Sequence, residues 1–175
     1  SIKQNWNDYV NNHLINRIYA FELMMAPFSI CHVKVGLKLK ETGFDIKSIK
    51  KRLNIFLTNS LDEPHDLAIA LFKPFLAIES DLANGVKMNV PITVVFGNPP
   101  YSISSSNKGQ WINNLMNDYK KDLNEKNINP LSDDYIKFIR YSQFLLDKTG
   151  CGILGIITNN SFLDGNIHRV MRKSL

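Results

Sequence analysis

The sequence predicts an α/β protein with a mainly parallel sheet. Short apolar segments rich in β-branched and aromatic residues alternate along the chain with longer segments whose apolar residues recur at helical spacing. Turn-forming residues, mostly Gly, Pro, Asn and Ser, separate the two kinds of segment. Strands that alternate with helices join most simply as parallel strands with helical crossovers, so this order favours the fold class.

The first half of the chain supplies helical segments and two strands. Pro27 suits the first turn of a helix and Thr42-Gly43 suits a helix C-terminus, so they bound the clearest of these helices. The predicted order is a short helix over 6–15, a strand over 17–22, a helix over 26–41, a strand over 53–57 and one or two helical pieces over 67–83 around Pro74.

The second half begins with the apolar run 92–96 (ITVVF), which is typical of a strand buried on both faces. The tripeptide Ser132-Asp133-Asp134 suits the N-terminal cap of a helix that carries a strong apolar stripe. The other predicted elements are a small, polar and mobile stretch over 102–109, a weakly helical segment over 111–129, a strand over 150–158 and a final helix over 167–175.

The composition is that of an ordinary globular chain. Its 175 residues are 44% hydrophobic and 21% charged, which suits one domain with a core and excludes intrinsic disorder, collagen-like repeats and a disulfide scaffold. Cys31 and Cys151 are far apart, so they predict free thiols in a reducing cytoplasm and no metal site. The formal net charge of +5 permits a polyanionic partner without requiring one. No apolar run is long enough to cross a membrane.

The segment 150–155 (GCGILG) matches the G-x-G-x-x-G pattern of dinucleotide-binding folds. That pattern binds phosphate where it follows a strand and opens a helix, because the amides of the helix N-terminus then face the ligand. Here the segment follows a helix and opens a strand. We therefore interpret its glycines as a tight helix-to-strand turn.

The tetrapeptide Asn98-Pro99-Pro100-Tyr101 carries the clearest chemical signal. It directly follows the run 92–96, and parallel α/β folds bind their ligands at this carboxyl edge of the sheet. The prolines stiffen the bend, and since they lack N–H groups the nearby carbonyls remain available as acceptors. Hydrogen-bond acceptors beside the aromatic face of Tyr101 are suited to binding an exocyclic NH₂ group. The nitrogen of that group becomes more nucleophilic when both of its N–H groups donate hydrogen bonds. A rigid turn without chemistry is the alternative.

The segment FGNPPY resembles the catalytic motif of amino-group methyltransferases that use S-adenosylmethionine, above all the DNA adenine-N6 methyltransferases. Further segments resemble, in order, the methylase region of large single-polypeptide restriction–modification enzymes. They are FELMMAPFSICHVKVGLKLKETG, LNIFLTNSLDEP, DDYIKFIRYSQ and GILGIITNNSFLDG. The resemblance covers roughly residues 17–175 and implies a Rossmann-like methyltransferase fold, with three layers around a mainly parallel sheet.

The resemblance also implies the roles of single residues in the catalytic motif. Asn98 and Pro99 would accept hydrogen bonds from the target amine, at the bend that Pro100 helps to stiffen. Tyr101 would stack on an adenine flipped out of the duplex, since the amine is unreachable inside it.

Roles at three other strand ends follow from the same resemblance. Glu22 would offer its carboxylate to the ribose hydroxyls of S-adenosylmethionine, and Asn59 would face the cofactor adenine. Asn160 and Phe162 would line the target-base pocket. The alternatives are a surface carboxylate for Glu22, a turn residue for Asn59, and turn formation or core packing for Asn160 and Phe162.

Parts of the family pattern are missing. No Gly-rich cofactor loop precedes Glu22, and the sequence ends within a predicted helix, before the closing strands. We therefore expect residues 1–175 to be an internal portion of one methyltransferase catalytic domain, with an incomplete S-adenosylmethionine site that binds weakly on its own. The strands ending at Glu22 and Asn98 would pair directly, leave a gap or borrow a strand from another copy, and exposed edges would favour self-association.

The implied partners are DNA and the remainder of a parent polypeptide with target-recognition, helicase or nuclease regions. Two basic groups would contact DNA phosphates or form solvated faces: Lys47, Lys50, Lys51 and Arg52 in one, and His168, Arg169, Arg172 and Lys173 in the other. Two further functions stay open. The same chemistry would serve an RNA guanine or a protein glutamine amide, and a catalytically inactive truncated remnant would keep the motif without turnover.

Overall fold

The computed structural model describes residues 2–62, 74–102 and 105–175. They form two compact units, one from residues up to 60 together with 74–88, and the other from 61–62 and residue 89 onwards. None of the helices in these ranges combines the length and apolar character that crossing a membrane requires. Cys31 and Cys151 are free thiols, as predicted.

The first unit is built around two parallel strands. Helix α1 (Ile2–Tyr9) continues through a π-helical turn and a 3-10 turn into β1 (Tyr19–Glu22), which is followed by α2 (Met25–Glu41), β2 (Asn54–Leu57) and α3 (Pro74–Asn89). The strands pair in register from Tyr19 opposite Asn54 to Glu22 opposite Leu57. Two buried clusters hold this unit together: Val10, Ile15, Leu39 and Phe44, and Phe28, Ile55 and Leu57.

The second unit contains the other two strands. In chain order it has β3 (Val94–Gly97), α4 (Gln110–Lys120), α5 (Asp134–Asp147), β4 (Ile153–Ile156), α6 (Ser161–Asp164) and α7 (Arg169–Ser174). β3 and β4 are parallel, with Val94 opposite Ile153 and Gly97 opposite Ile156. The core of this unit is Met116, Tyr119, Leu131, Tyr135, Ile136, Ile139 and Met171.

The alternation of strands and helices confirms the α/β class, and every strand pair in the described residues is parallel. The strands form two two-stranded sheets, so the alternative of direct pairing between the strands ending at Glu22 and Asn98 is wrong for the described residues. The element bounds differ by a few residues from those predicted. The largest difference is at the end of α4, which stops at Lys120 although the helical segment was predicted to reach residue 129. α3 runs from Pro74 to Asn89, beyond its predicted end at 83, and residues 67–73 of that prediction lie outside the described residues.

The prediction that the run 92–96 is buried on both faces is wrong. Val94 is 55% exposed and Phe96 is 83% exposed, and both point to the same face of the sheet. Leu154 and Ile156 of β4 pack against the core of this unit from the opposite face. The helices of this unit therefore cover one face of the β3–β4 sheet, and a continuous apolar run cannot reveal that the other face is open.

The glycines ahead of β4 form a turn, as predicted. Gly150 has a φ of +72°, a left-handed conformation that glycine adopts without strain. A Cβ on Gly152 would lie 2.7 Å from the carbonyl oxygen of Thr93 and 2.5 Å from Cδ2 of Leu146. These two positions thus need glycine for backbone conformation and close packing, which explains the pattern without a phosphate ligand.

Candidate active site

The bend that follows β3 carries the predicted catalytic motif. Asn98 and Pro100 are exposed, Pro99 is buried, and Tyr101 is 52% exposed. The Tyr101 hydroxyl donates to the carbonyl of Ile157 at 3.4 Å, just beyond the end of β4. The bend therefore lies at the carboxyl edge of the sheet, with the buried proline as its anchor and two polar side chains facing outward.

The residue after the motif is held on both sides of its backbone by the start of α5. The Ser102 N–H donates to Oδ1 of Asp133 at 2.9 Å, and the Ser102 carbonyl accepts from the Asp134 N–H at 3.2 Å. Both aspartates are buried. Because these two bonds fix the backbone of Ser102, they also fix the direction of the chain directly after Tyr101.

Hydrogen bonds to α5 hold the described residues of the stretch 102–109, and the mobility of this stretch stays a prediction. The Ser105 hydroxyl donates to Asp134 Oδ1 at 2.5 Å, and the Asn107 side-chain amide donates to the same oxygen at 2.9 Å. Lys137 Nζ donates to Ser105 Oγ at 2.6 Å and to the Asn107 carbonyl. Burial lowers the pKa of Lys137. Small polar residues are typical of a loosely held loop, but here Ser105 and Asn107 form hydrogen bonds with charged residues in the first turns of α5.

Tyr135 links the two loops at this edge of the sheet. Its ring lies 5.9 Å from the ring of Tyr101, measured between centroids, and its hydroxyl lies 2.9 Å from Oγ of Ser161. The Ser161 hydroxyl in turn donates to Asn159 Oδ1 at 2.5 Å. The sequence placed Tyr135 on the apolar stripe of α5, where it is indeed buried. Its contacts with both loops were not predicted.

Asn160 and Phe162 lie in the segment that follows β4, Asn160 directly before α6 and Phe162 within it. Asn160 is exposed and precedes α6, but its side chain makes no capping hydrogen bond there. Phe162 is half-buried and packs against the core of the unit. The structure thus brings both residues to the same sheet edge as Asn98, and it also supports the core-packing alternative for Phe162.

Glu22 and Asn59 share the carboxyl edge of the other sheet. One carboxylate oxygen of Glu22 accepts from the Met24 N–H at 3.0 Å, at the start of α2. The backbone carbonyl of Glu22 accepts from the Thr58 N–H at 2.8 Å, so the pairing of the strands continues to this edge. Asn59 is the next residue along the chain. Both predicted cofactor residues are half-buried at one sheet end.

Two buried charged residues of α3 support this edge. Lys87 is fully buried, donates to the Asn59 carbonyl at 2.9 Å, and lies 5.8 Å from the ring of Phe21. Glu79 is 1% exposed and accepts from the Leu57 N–H at 3.1 Å. Neither residue was predicted, and their charges would have suggested solvated positions.

The basic groups are largely used within the fold. Arg52 pairs with Glu79, and Lys51 donates to Asn16 Oδ1 at 3.2 Å. His168 is 3% exposed, and Arg172 donates to the carbonyls of Phe162 and Gly165 at 2.8 Å. His168 is thus buried and Arg172 is bonded within the fold, while contact of the two basic groups with DNA phosphates stays a prediction.

The donor chemistry of the first unit suits the ribose and adenine of S-adenosylmethionine. A carboxylate that uses one oxygen on the Met24 N–H retains a second oxygen for hydroxyl donors, and a carboxamide such as that of Asn59 is a group that can both donate and accept. Among the described residues no group of His, Cys, Asp and Glu is arranged to hold a metal ion.

A cavity of about 440 Å³ lies in the first unit. It is lined by His32, Gly36, Leu39, Ile46, Ile49, Lys50, Lys51, Arg52 and Leu53.

Comparison with known proteins places this architecture among restriction–modification enzymes. A family model described as "Eco57I restriction-modification methylase" matches residues 16–175. The solved structure titled "ATP-dependent Type ISP restriction-modification enzyme LlaBIII bound to DNA" is 27% identical, with a TM-score of 0.73 over 89% of this chain and 11% of that chain. A search of curated proteins finds no significant match.

Two further solved structures share the fold at lower identity. A nuclease-deletion mutant of the Type ISP enzyme LlaGI, in complex with a DNA substrate mimic, is 20% identical, with a TM-score of 0.70 over 99% of this chain and 16% of that chain. A DrdV–DNA complex is 21% identical, with a TM-score of 0.71 over 98% of this chain and 16% of that chain. The chain therefore spans between 11% and 16% of the length of these structures.

Proposed function

Because the chain belongs to the Eco57I restriction-modification methylase family, we propose that it is part of a DNA adenine-N6 methyltransferase within a larger restriction–modification polypeptide. In this proposal residues 1–175 are an internal portion of one Rossmann-like catalytic domain. The substrate is the exocyclic amine of an adenine flipped out of the duplex, and the methyl donor is S-adenosylmethionine.

One observation carries the proposal. The bend Asn98–Tyr101 follows β3 directly and leaves Asn98 exposed and Tyr101 half-exposed, while buried Pro99 anchors it. An adenine amine needs acceptors beside an aromatic face, and this arrangement presents both at the sheet edge where α/β folds bind ligands. Neither polar side chain is consumed by packing into the core.

The residues of the bend act by binding and orienting the base. The side-chain oxygen of Asn98 and the carbonyl of Pro99 accept one hydrogen bond each from the amine, which leaves the nitrogen lone pair less delocalised into the ring. Tyr101 stacks on the base and fixes its plane. No side chain with an unusual pKa is required, because the donor already carries an activated methyl group when it is bound.

The first unit supplies part of the donor site. Glu22 would accept from the ribose hydroxyls and Asn59 would pair with the cofactor adenine, at the sheet edge that Lys87 and Glu79 support. DNA and other regions of the larger polypeptide are the proposed partners. The solved structures that share the fold are DNA complexes of much longer chains.

The test is methyl transfer to duplex DNA by the full-length protein and its Asn98→Ala variant. We expect the variant to lose about a hundredfold or more in kcat, as happens when a group that stabilises the transition state is removed. The exposed Asn124, which lies outside the bend, provides the matched control as Asn124→Ala. Unchanged methyl transfer by the Asn98→Ala variant would show that the bend has no catalytic role.

The same assay separates the alternatives. Duplex DNA, RNA and protein acceptors are offered in parallel with labelled S-adenosylmethionine. Label in RNA guanine or in a glutamine amide would show that the substrate is RNA or protein and not DNA. Absence of label in all three, with S-adenosylmethionine binding intact, would identify an inactive remnant.

A further inference from the structure

Asp133, which caps α5, bonds to Ser102, the residue that directly follows the proposed base-binding bend. This contact is closer than a capping role requires. Oδ1 of Asp133 lies 2.9 Å from the backbone nitrogen of Ser102, whereas it lies 3.4 Å from the nitrogen of Tyr135 that it caps. A helix N-cap needs only the second of these bonds. The shorter bond is made to the loop, so the carboxylate holds the loop at least as firmly as it holds the helix.

The position of that bond bears on the orientation of Tyr101. Ser102 follows Tyr101 directly, and its N–H belongs to the peptide group that leaves Tyr101. With the Ser102 carbonyl also bonded to the Asp134 N–H, the backbone on the carboxyl side of Tyr101 has two fixed points. The direction of the Tyr101 ring depends on this backbone, because the ring has only two side-chain torsions of its own.

Tyr135 acts on the same ring from a second direction. Its ring is tilted by 59° against the ring of Tyr101, at a centroid distance of 5.9 Å that is typical of interacting aromatic pairs. Its hydroxyl reaches Ser161, the first residue of α6, which lies between Asn160 and Phe162. Tyr135 thereby couples the bend after β3 to the loop after β4.

We propose that Asp133 and Tyr135 are positioning residues that orient Tyr101 and the loop after β4 for the target base. The proposal rests on the proposed function of the bend, because only then does the direction of the Tyr101 ring matter for a reaction. Asp133 acts through the backbone of Ser102, and Tyr135 acts through ring packing and Ser161. Neither residue touches the substrate, so both are distinct from the groups that grip the amine.

The test compares kcat, the KM for DNA and the melting temperature of variants of the full-length protein, with plasmid DNA and S-adenosylmethionine as substrates. Asp133→Ala removes the bond to Ser102, and we expect kcat to fall about 10- to 100-fold, as misplaced groups do. Asp133→Asn keeps an acceptor for both backbone N–H groups and is expected to restore kcat to within about threefold of the wild type. The matched control is Asp45→Ala, because Asp45 also caps a short helical turn through a bond to the Lys47 N–H at 3.0 Å.

A second variant keeps the proposal testable if Asp133→Ala fails to fold. Tyr135→Phe removes the hydroxyl, with its bonds to Ser161 and Asn159, and retains the ring, and we expect kcat to fall about two- to tenfold. The proposal is overturned if Asp133→Ala keeps the kcat of the Asp45→Ala control, or if Asp133→Asn fails to rescue it. A normal kcat for Tyr135→Phe overturns it as well.

These outcomes are distinct from failure of the proposed function. If Asn98→Ala abolishes methyl transfer while the variants of Asp133 and Tyr135 behave as wild type, the bend is catalytic and the positioning role is wrong. If Asn98→Ala is fully active, the function proposed for the bend fails first.

Discussion

Glu79 of α3 forms a two-point ion pair with Arg52, with Nη1 at 2.6 Å from Oε1 and Nη2 at 3.1 Å from Oε2. The carboxylate is 1% exposed while the Arg52 side chain is 42% exposed. The same carboxylate accepts from the Leu57 N–H at the end of β2. The pair therefore ties α3 to the strand edge that carries the proposed cofactor residue Asn59.

We predict that Glu79→Gln lowers the free energy of unfolding by about 2–3 kcal/mol. Charge-assisted hydrogen bonds to a buried carboxylate are lost, and the penalty stays below that of a fully buried pair because solvent reaches Arg52. The measurement is chemical denaturation of the purified protein. Glu41→Gln is the matched control, since Glu41 pairs with Lys38 on the surface and should change stability by less than about 0.5 kcal/mol. Equal effects of the two variants would contradict the role given to the Glu79 pair.

The buried carboxylate of Glu79 also predicts how the free energy of unfolding depends on pH. Burial alone would raise the pKa of Glu79, but hydrogen bonds from Arg52 and the Leu57 N–H outweigh it and hold the pKa below its ordinary value. The folded state thus binds fewer protons at this carboxyl than the unfolded state. Its stabilisation is present above the ordinary pKa of about 4.3 and is lost as the pH falls through the lower, folded value.

His168 should make the protein less stable as the pH falls below about 6.5. Burial and the positive charge of Arg172 lower the pKa of its imidazole, so the unfolded chain binds the proton more readily than the folded chain. We predict that His168→Gln reduces the slope of unfolding free energy against pH between about 5 and 6.5. His32, whose pKa is also lowered by burial, leaves a residual slope. An unaltered slope in the variant would show that His168 is not held neutral.

Two glycines, Gly152 in the turn before β4 and Gly36 in α2, should respond to alanine substitution with opposite changes in stability. Gly152→Ala places a Cβ against the Thr93 carbonyl and Leu146, and we predict a loss of about 1–3 kcal/mol in unfolding free energy. Gly36 lies within α2, and a Cβ added there would meet no atom within 4 Å, so Gly36→Ala should stabilise by about 0.5–1 kcal/mol. Thermal unfolding of both variants checks the prediction. A neutral Gly152→Ala variant would reopen the question of why this glycine is present.

Local sequence signals were sufficient for the elements and for the bend. Ser132-Asp133-Asp134 marked the start of α5, Pro27 and Thr42-Gly43 bounded α2, and the apolar runs located the strands to within a few residues. The class and the parallel pairing followed from their order. The motif Asn98–Tyr101 was placed at the correct strand end because a strand and its following loop are contiguous in sequence.

Contacts between distant segments were not predictable in this way. Ser132-Asp133-Asp134 was identified as a capping segment, but the bond between Asp133 and Ser102 joins positions 31 residues apart. Lys87 and Glu79 resemble surface charges, and only the packing of α3 on the strand ends shows them to be buried. The open face at Phe96 was missed because an apolar run records composition and not which helices cover it.

The chain alone should bind S-adenosylmethionine more weakly than micromolar. In the proposed function Glu22 and Asn59 would supply groups for the ribose and the adenine, but the sequence has no Gly-rich loop before Glu22 to cradle the methionine part. Isothermal titration calorimetry of the 175-residue chain measures this affinity. A micromolar dissociation constant would show that the 175-residue chain already forms a complete donor site.

The most direct test of the account identifies the atom that is methylated. Duplex DNA is incubated with the full-length protein and isotopically labelled S-adenosylmethionine, digested to nucleosides and analysed by mass spectrometry. The account predicts label in N6-methyl-2′-deoxyadenosine, and its loss in the Asn98→Ala variant. Label on a cytosine, or undiminished label on adenine in that variant, would contradict the claim that the bend after β3 grips an adenine amine.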